Sequence, residues 1–272
     1  MKASIKAEWR KNRARPAFLI AAGLVAGVVT LFYSVDFYQA THPTAGTFVT
    51  SLLTLYPDQF VNRVMGAGFP LGAAMALVLG ALLSGSEYSW GTLKTVLTQG
   101  PGRITALAGR IVAFQIWLGI MTLIMFGVAG AYSVGVAAVE GQSIVWPAAL
   151  EVAKGFGAMW LVLSVSGSLG MALGVLFKQS AAALGVGLIY LTVLQVIVAR
   201  FLLGFDGGAY NWIANLLDGQ NASALLQSFT SSAFGRSMAP AIGAEQAVVV
   251  LSVYLACFLL VSVALLRERD VT

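Results

Sequence analysis

The chain offers few side chains with which to do covalent chemistry. His42 is the single histidine and Cys257 the single cysteine among 272 residues, too few to build a site of nitrogen and sulfur metal ligands or to supply a base to a nucleophile within a span. No G-x-x-x-x-G-K-[ST] run cradles phosphates, and no G-x-S-x-G elbow is present. The interiors of the apolar runs described below contain neither Asp nor Glu, which removes paired-carboxylate proteolysis and the mid-membrane acid common in ion-coupled carriers. Polar groups that do sit there are neutral: Gln115, Ser164, Ser166, Ser168, Tyr190, Thr192 and Gln195. Such groups hydrogen-bond between helices or line a path for an amphiphilic molecule, and Gln115, Tyr190, Gln195 and Ser166 are the candidate path residues. No catalysis, metal or cofactor is expected of this chain.

Those residues must be positioned by a membrane. The composition is 58% hydrophobic and 10% charged, far from the balance of a soluble domain. The net charge of +5 equals that of residues 1–15, where Lys2, Lys6, Arg10, Lys11, Arg13 and Arg15 oppose only Glu8. A basic cluster just before an apolar run reads as a topology signal and a contact with anionic headgroups, not as a nucleic-acid site. Cys257 lies in the last apolar run and is expected to be a buried small hydrophobe.

Taken in order, residues 1–15 are expected to form a basic interfacial helix and 16–266 a six-span domain, with 267–272 a polar tail. Pro16 suits a first helical turn, and the spans fall at about 16–35, 64–86, 111–136, 155–177, 181–200 and 246–266. Between the first two, Phe48, Leu52, Leu53 and Leu55 suggest a short helix against the membrane. Gly66, Gly68, Pro70 and Gly72 predict a kink or unwound turn in span two, or else close packing. Lys178-Gln179-Ser180 makes a tight turn between antiparallel neighbours. Residues 200–245 read as two short helices around an Asp218-Gly219 turn, and Asn221-Ala222-Ser223 is a weak glycosylation sequon. Glu151 and Lys154 are spaced to pair. Four G-x-x-x-G matches, at Gly23/Gly27, Gly68/Gly72, Gly170/Gly174 and Gly204/Gly208, are close to the number that 30 glycines give by chance, so they tell little about a dimer face.

An even number of spans puts both termini on one side. Lys2, Lys6, Arg10, Lys11, Arg13, Arg15, Lys94, Arg103, Arg110, Lys178, Arg267 and Arg269 share that side, against Arg63, Lys154, Arg200 and Arg236. The bias makes both termini cytoplasmic in an all-α protein of the cell membrane.

Between spans two and three lies a polar stretch, EYSWGTLKTVLTQGPGRITALAGR, from Glu87 to Arg110. Trp90, Leu93, Val96 and Leu97 share one arc of a helical wheel and Thr92, Lys94, Thr95 and Thr98 the other, so a short amphipathic helix is expected, stopped by Gly100-Pro101-Gly102. The run Ser86-Glu87-Tyr88-Ser89-Trp90-Gly91-Thr92-Leu93-Lys94, then Leu97-Thr98, the Gly-Pro-Gly turn and Arg103, resembles the first cytoplasmic loop of ABC-2-type transporter permeases. Their pattern is roughly E-x-x-x-G-T-L-K-x-x-L-T followed by a Pro and an Arg. The resemblance implies the membrane subunit of an ATP-driven exporter, with ATP and Mg held by a separate ATPase subunit and a second permease copy or a similar permease completing the path. It further implies that Glu87, Trp90, Gly91, Thr92, Leu93, Lys94, Leu97, Thr98 and Arg103 belong to a coupling helix that touches the ATPase. Arg103 and Arg110 would anchor its return in the headgroups, and residues 200–245 would be the helical hairpin that many such permeases carry outside, before the last span. The substrate class this leaves is hydrophobic or amphiphilic: a drug, a peptide antibiotic or a lipid. The alternatives are a membrane scaffold or sensor that recruits a cytoplasmic protein, and a secondary carrier.

Overall fold

The computed structural model describes residues 2–42, 51–89, 103–204, 210–229 and 242–268. Its helices are α1 (Lys2–Ala14), α2 (Pro16–Thr41), α3 (Phe60–Ser89), α4 (Arg103–Val139) and α5 (Ala149–Phe177), then α6 (Ser180–Ile189), α7 (Gln195–Gly204), α8 (Asn211–Ala214), α9 (Asp218–Gln227) and α10 (Ala244–Glu268). A π turn, Tyr190–Leu194, fuses α6 and α7 into one rod, and two 3-10 turns, Leu52–Leu55 and Pro57–Gln59, lead into α3. Among the described residues there is no strand. Among the described residues, six helices are long and apolar enough to cross a membrane: α2, α3, α4, α5, the α6–α7 rod and α10. The chain is a multi-pass membrane protein.

Where α3 ends and α4 begins defines one end of the bundle, called here the handle end. The turn at Lys178 closes α5 onto α6 at that same end. Lys178 takes a left-handed backbone, φ 56°, which is the conformation that stops a helix while its neighbour turns back.

The helices outrun the expected spans wherever polar groups find partners. α2 continues to Thr41 and carries Asp36, a residue expected outside the membrane. Asp36 is buried and paired with the Arg63 guanidinium of α3, so an acid does sit within an apolar helix, its charge offset by a cation from the next. α4 has 37 residues, about 55 Å at the usual rise, so it projects well beyond a hydrocarbon core of about 30 Å.

α1 leans on that projecting start. Arg15 is extended, as the residue before a proline must be, and Pro16 opens α2. α1 was expected to lie in the headgroups. It docks on α4: Ser4 donates to the Thr105 carbonyl at 3.3 Å, Trp9 stacks on Trp117 with ring centroids 5.1 Å apart, and Asn12 is fully buried. Glu8 faces Arg110 at 4.0 Å. Arg110 is only 3% exposed, so it anchors α1 rather than the headgroups, while Lys6, Arg10 and Arg13 form the exposed stripe. Trp9→Ala should loosen this docking by about 1–3 kcal/mol. Faster tryptic cleavage after Lys6 and Arg10 would register it.

The centre of the bundle is α3 against α5. Of its most apolar stretch α5 buries 72%, against 17% for the α6–α7 rod and 11% for α10. The two backbones touch: a Cβ on Gly80 would strike the Gly167 carbonyl, and one on Gly170 the Leu77 carbonyl. A Cβ on Gly174 would lie 3.0 Å from the Ala81 carbonyl. The Gly170/Gly174 pair therefore has its partner within the chain, whereas Gly23 and Gly27 have nothing within 4 Å. Span two keeps an unbroken helix through Pro70. Gly68 packs closely against Met125 and Met159 and Gly72 against Leu163, while Gly66 has nothing within 4 Å.

Smaller expectations also change. Leu52–Leu55 is a single 3-10 turn, and Phe48 lies outside the described residues. Glu151 and Lys154 are both exposed and do not pair. Cys257 is exposed on α10 rather than buried.

Candidate functional site

The polar residues named from sequence divide into two places. Gln115 of α4 accepts from the Ser164 hydroxyl at 2.6 Å, and its backbone carbonyl accepts from the Trp160 indole at 3.1 Å. Those are interhelical bonds between α4 and α5, and Gln115 lines no part of the cavity described next. Ser166 and Gln195 do line it, and Tyr190 stands beside it. Of the coupling residues, Glu87 falls in the last turn of α3 and Arg103 begins α4. Trp90, Gly91, Thr92, Leu93, Lys94, Leu97 and Thr98 lie outside the described residues.

The cavity, about 270 Å³, opens among α3, α5, the π turn, the start of α9 and α10. Phe69 and Pro70 form its α3 wall, Val162, Val165 and Ser166 its α5 wall, and Leu251 its α10 wall. Gln195 is fifteen residues along the rod from Ser180, about 22 Å, and Pro70 is nineteen from Ser89, about 28 Å. The cavity thus occupies the half of the bundle far from the handle.

Its polar face is assembled by two irregularities. In a regular α-helix Tyr190 and Gln195, five apart, would point about 140° from each other. The π turn closes with the Gln195 amide donating to the Tyr190 carbonyl, and this wider turn swings both side chains toward one point, as such turns often do at functional sites. The point is Asp218: the Tyr190 hydroxyl and the Gln195 side-chain amide each donate to its Oδ1 at 2.7 Å.

Asp218 was expected in an exposed turn. It instead opens α9 and is 4% exposed. Asn221 fixes that approach. It is fully buried and donates to the carbonyls of Asn215 at 2.9 Å and Leu217 at 2.8 Å, so the sequon is closed to glycosylation. A Cβ on Gly219 would meet the end of the Gln195 side chain, so a larger residue there would displace the carboxamide that donates to Asp218. The residues 210–227 therefore enter the bundle and deliver a carboxylate to mid-helix depth. Counting acids within apolar runs could not find it, since Asp218 reaches the site from a connecting segment; the sequence showed only that Tyr190 and Gln195 are polar groups in an apolar run.

Burial raises the Asp218 carboxyl above the usual carboxylate range, although Tyr190, Gln195 and the Gly219 amide pull it back. Docking of α9 is then strongest with the carboxyl protonated, below its unfolded value of about 3.9, and weakens as pH rises through the higher folded value. Asp218→Asn, which keeps an acceptor for both donors, should flatten this dependence and stabilise the fold at neutral pH. Tyr190→Phe should destabilise by about 1–2 kcal/mol. Thermal unfolding of the three proteins from pH 4 to 8 checks both.

No curated protein matches the chain. The family model described as "Protein of unknown function (DUF2705)" matches residues 25–272, from within α2 through Thr272, and the chain belongs to that family.

Proposed function

We propose that the protein is the membrane subunit of an ATP-driven exporter for a hydrophobic or amphiphilic molecule, worked by a separate cytoplasmic ATPase. One observation carries most of the weight beside the loop pattern. A single unbroken helix, α3, borders the cavity at Phe69 and Pro70 and runs to Ser89, past Glu87, where the coupling pattern begins. Displacement of the handle by an ATPase would reach the cavity wall through that helix and through its glycine contact with α5, because closely packed helices move as bodies.

In this reading both termini and the 90–102 segment are cytoplasmic, and α8 and α9 enter from the opposite face. α1, docked on the start of α4 beside the handle, adds the exposed Lys6, Arg10 and Arg13 to the ATPase-facing or headgroup-facing side. Two permeases and two ATPases would form the working unit, and the weakly buried rod and α10 leave surface for lipid or for the second permease.

Asp218 favours a second reading, a carrier driven by a proton gradient, since it is the kind of shielded acid such carriers use. Proteoliposomes holding the permease with an ATPase that co-purifies with it, and without one, separate the two. ATP-dependent transport that persists when proton gradient and membrane potential are collapsed supports the exporter. Transport that follows the gradients and ignores ATP supports the carrier.

A further inference from the structure

We propose that the cavity at Asp218 is a binding site for a monovalent organic ammonium: the charged nitrogen sits on the Asp218 carboxylate and a small apolar body lies against Phe69, Val162, Val165 and Leu251. The proposal names a substrate class for the exporter; it rests on that reading for transport but not for binding.

Asp218 is almost fully buried, and among the described residues no cation lies against it. Its partners are donors. Tyr190 and Gln195 both give a hydrogen to Oδ1, and the Gly219 backbone amide also donates to the carboxylate. That arrangement suits an ionised acceptor, because a protonated acid needs an acceptor of its own. Burial works the other way, and a bound cation reconciles the two by compensating the charge without disturbing the donors.

The rest of the wall decides which cation. No group of three metal-ligating side chains occurs among the described residues, and one carboxylate with two hydroxyls, of Ser166 and Thr192, is too sparse an oxygen set to strip water from a divalent ion. An alkylammonium needs less: one carboxylate and an apolar surface, with a hydroxyl as an added acceptor. Thr192 already donates to the Leu188 carbonyl at 2.7 Å, so its oxygen is left to accept. About 270 Å³ falls just below the usual range for ligand pockets, roughly 300–1,000 Å³, which admits a compact aryl or alkyl amine and not a peptide.

The test uses the full chain in lipid nanodiscs and equilibrium dialysis of three probes of similar shape: N,N-dimethylphenethylamine, its permanently charged trimethylammonium analogue, which is one methyl larger, and isopentylbenzene, the uncharged carbon isostere of the tertiary amine. Each is corrected for uptake by empty nanodiscs. The wild type should bind both cations about tenfold or more tightly than the isostere, and Asp218→Asn should lose that preference while binding the isostere unchanged, which shows the cavity intact. Equal binding of cation and isostere by the wild type overturns the proposal, as does an undiminished preference in Asp218→Asn. Should Asp218→Asn not fold, the wild-type preference is tested against Ser166→Leu, which fills the cavity from α5; cation preference that survives that variant also overturns it. Recovery of an ATPase with the chain is a separate result, so failure of the amine site and failure of the exporter reading are distinguishable.

Discussion

Gly170→Leu is expected to abolish recovery of folded protein from the membrane. At this position the α5 backbone lies directly on the Leu77 carbonyl of α3, and even a methyl group would strike it. Neither side of the contact is a flexible side chain that could swing aside, so the helices must separate. Overpacking a core costs about 1–3 kcal/mol where side chains can adjust, and a backbone contact at the centre of the bundle should cost at least the upper figure. Separation would also remove the neighbouring contacts of Gly80 with Gly167 and of Gly174 with Ala81. Gly23→Leu is the matched control: it too opens a G-x-x-x-G pair, yet nothing lies within 4 Å of it. Size-exclusion profiles of detergent extracts should show a folded peak for Gly23→Leu and none for Gly170→Leu. A normal peak for Gly170→Leu would contradict the α3–α5 arrangement.

The second large effect concerns the handle and rests on its resemblance to the ABC-2 coupling loop. Gly91→Pro removes a backbone donor and restricts the turn that opens the expected helix; Lys94→Glu reverses the charge its polar face presents to an ATPase. Either change should lower ATP-linked export about tenfold or more while leaving the amount of protein in the membrane unchanged, because both residues belong to the polar stretch between the second and third apolar runs of the sequence. Transport and ATP hydrolysis measured together in proteoliposomes check this, with uncoupled hydrolysis as the expected signature.

What was legible in the sequence follows from how local its causes are. The six apolar helices are a matter of length and composition, and each was anticipated because a bilayer imposes about 20 apolar residues on any helix that crosses it. Their ends were not, since an end depends on partners. α2 runs on to Thr41 because Arg63 meets Asp36, and α1 packs along α4 because Glu8 and Trp9 find partners there and Asn12 is buried. The glycines show the same split. Counting G-x-x-x-G matches could not separate Gly170, which holds the bundle together, from Gly23, which touches nothing.

For the candidate site, Ser166, Tyr190 and Gln195 were identified as polar groups in apolar runs, and the structure gathers them around one cavity, while Gln115 serves a separate interhelical bond. The carboxylate that organises them was missed. Asp218-Gly219 has the composition of a turn, and the same composition opens a helix. Only the tertiary approach of α9 to the π turn distinguishes the two.

The claim at the centre of this account is that the chain is driven by a partner ATPase docked on the segment between α3 and α4. It is tested most directly by affinity purification of the tagged chain from native membranes in mild detergent, as wild type and as Lys94→Glu. The account predicts that a Walker-motif ATPase co-purifies with the wild type and is lost from Lys94→Glu at equal yield of the chain. Recovery of the chain alone, or of an ATPase that stays bound to Lys94→Glu, would contradict it.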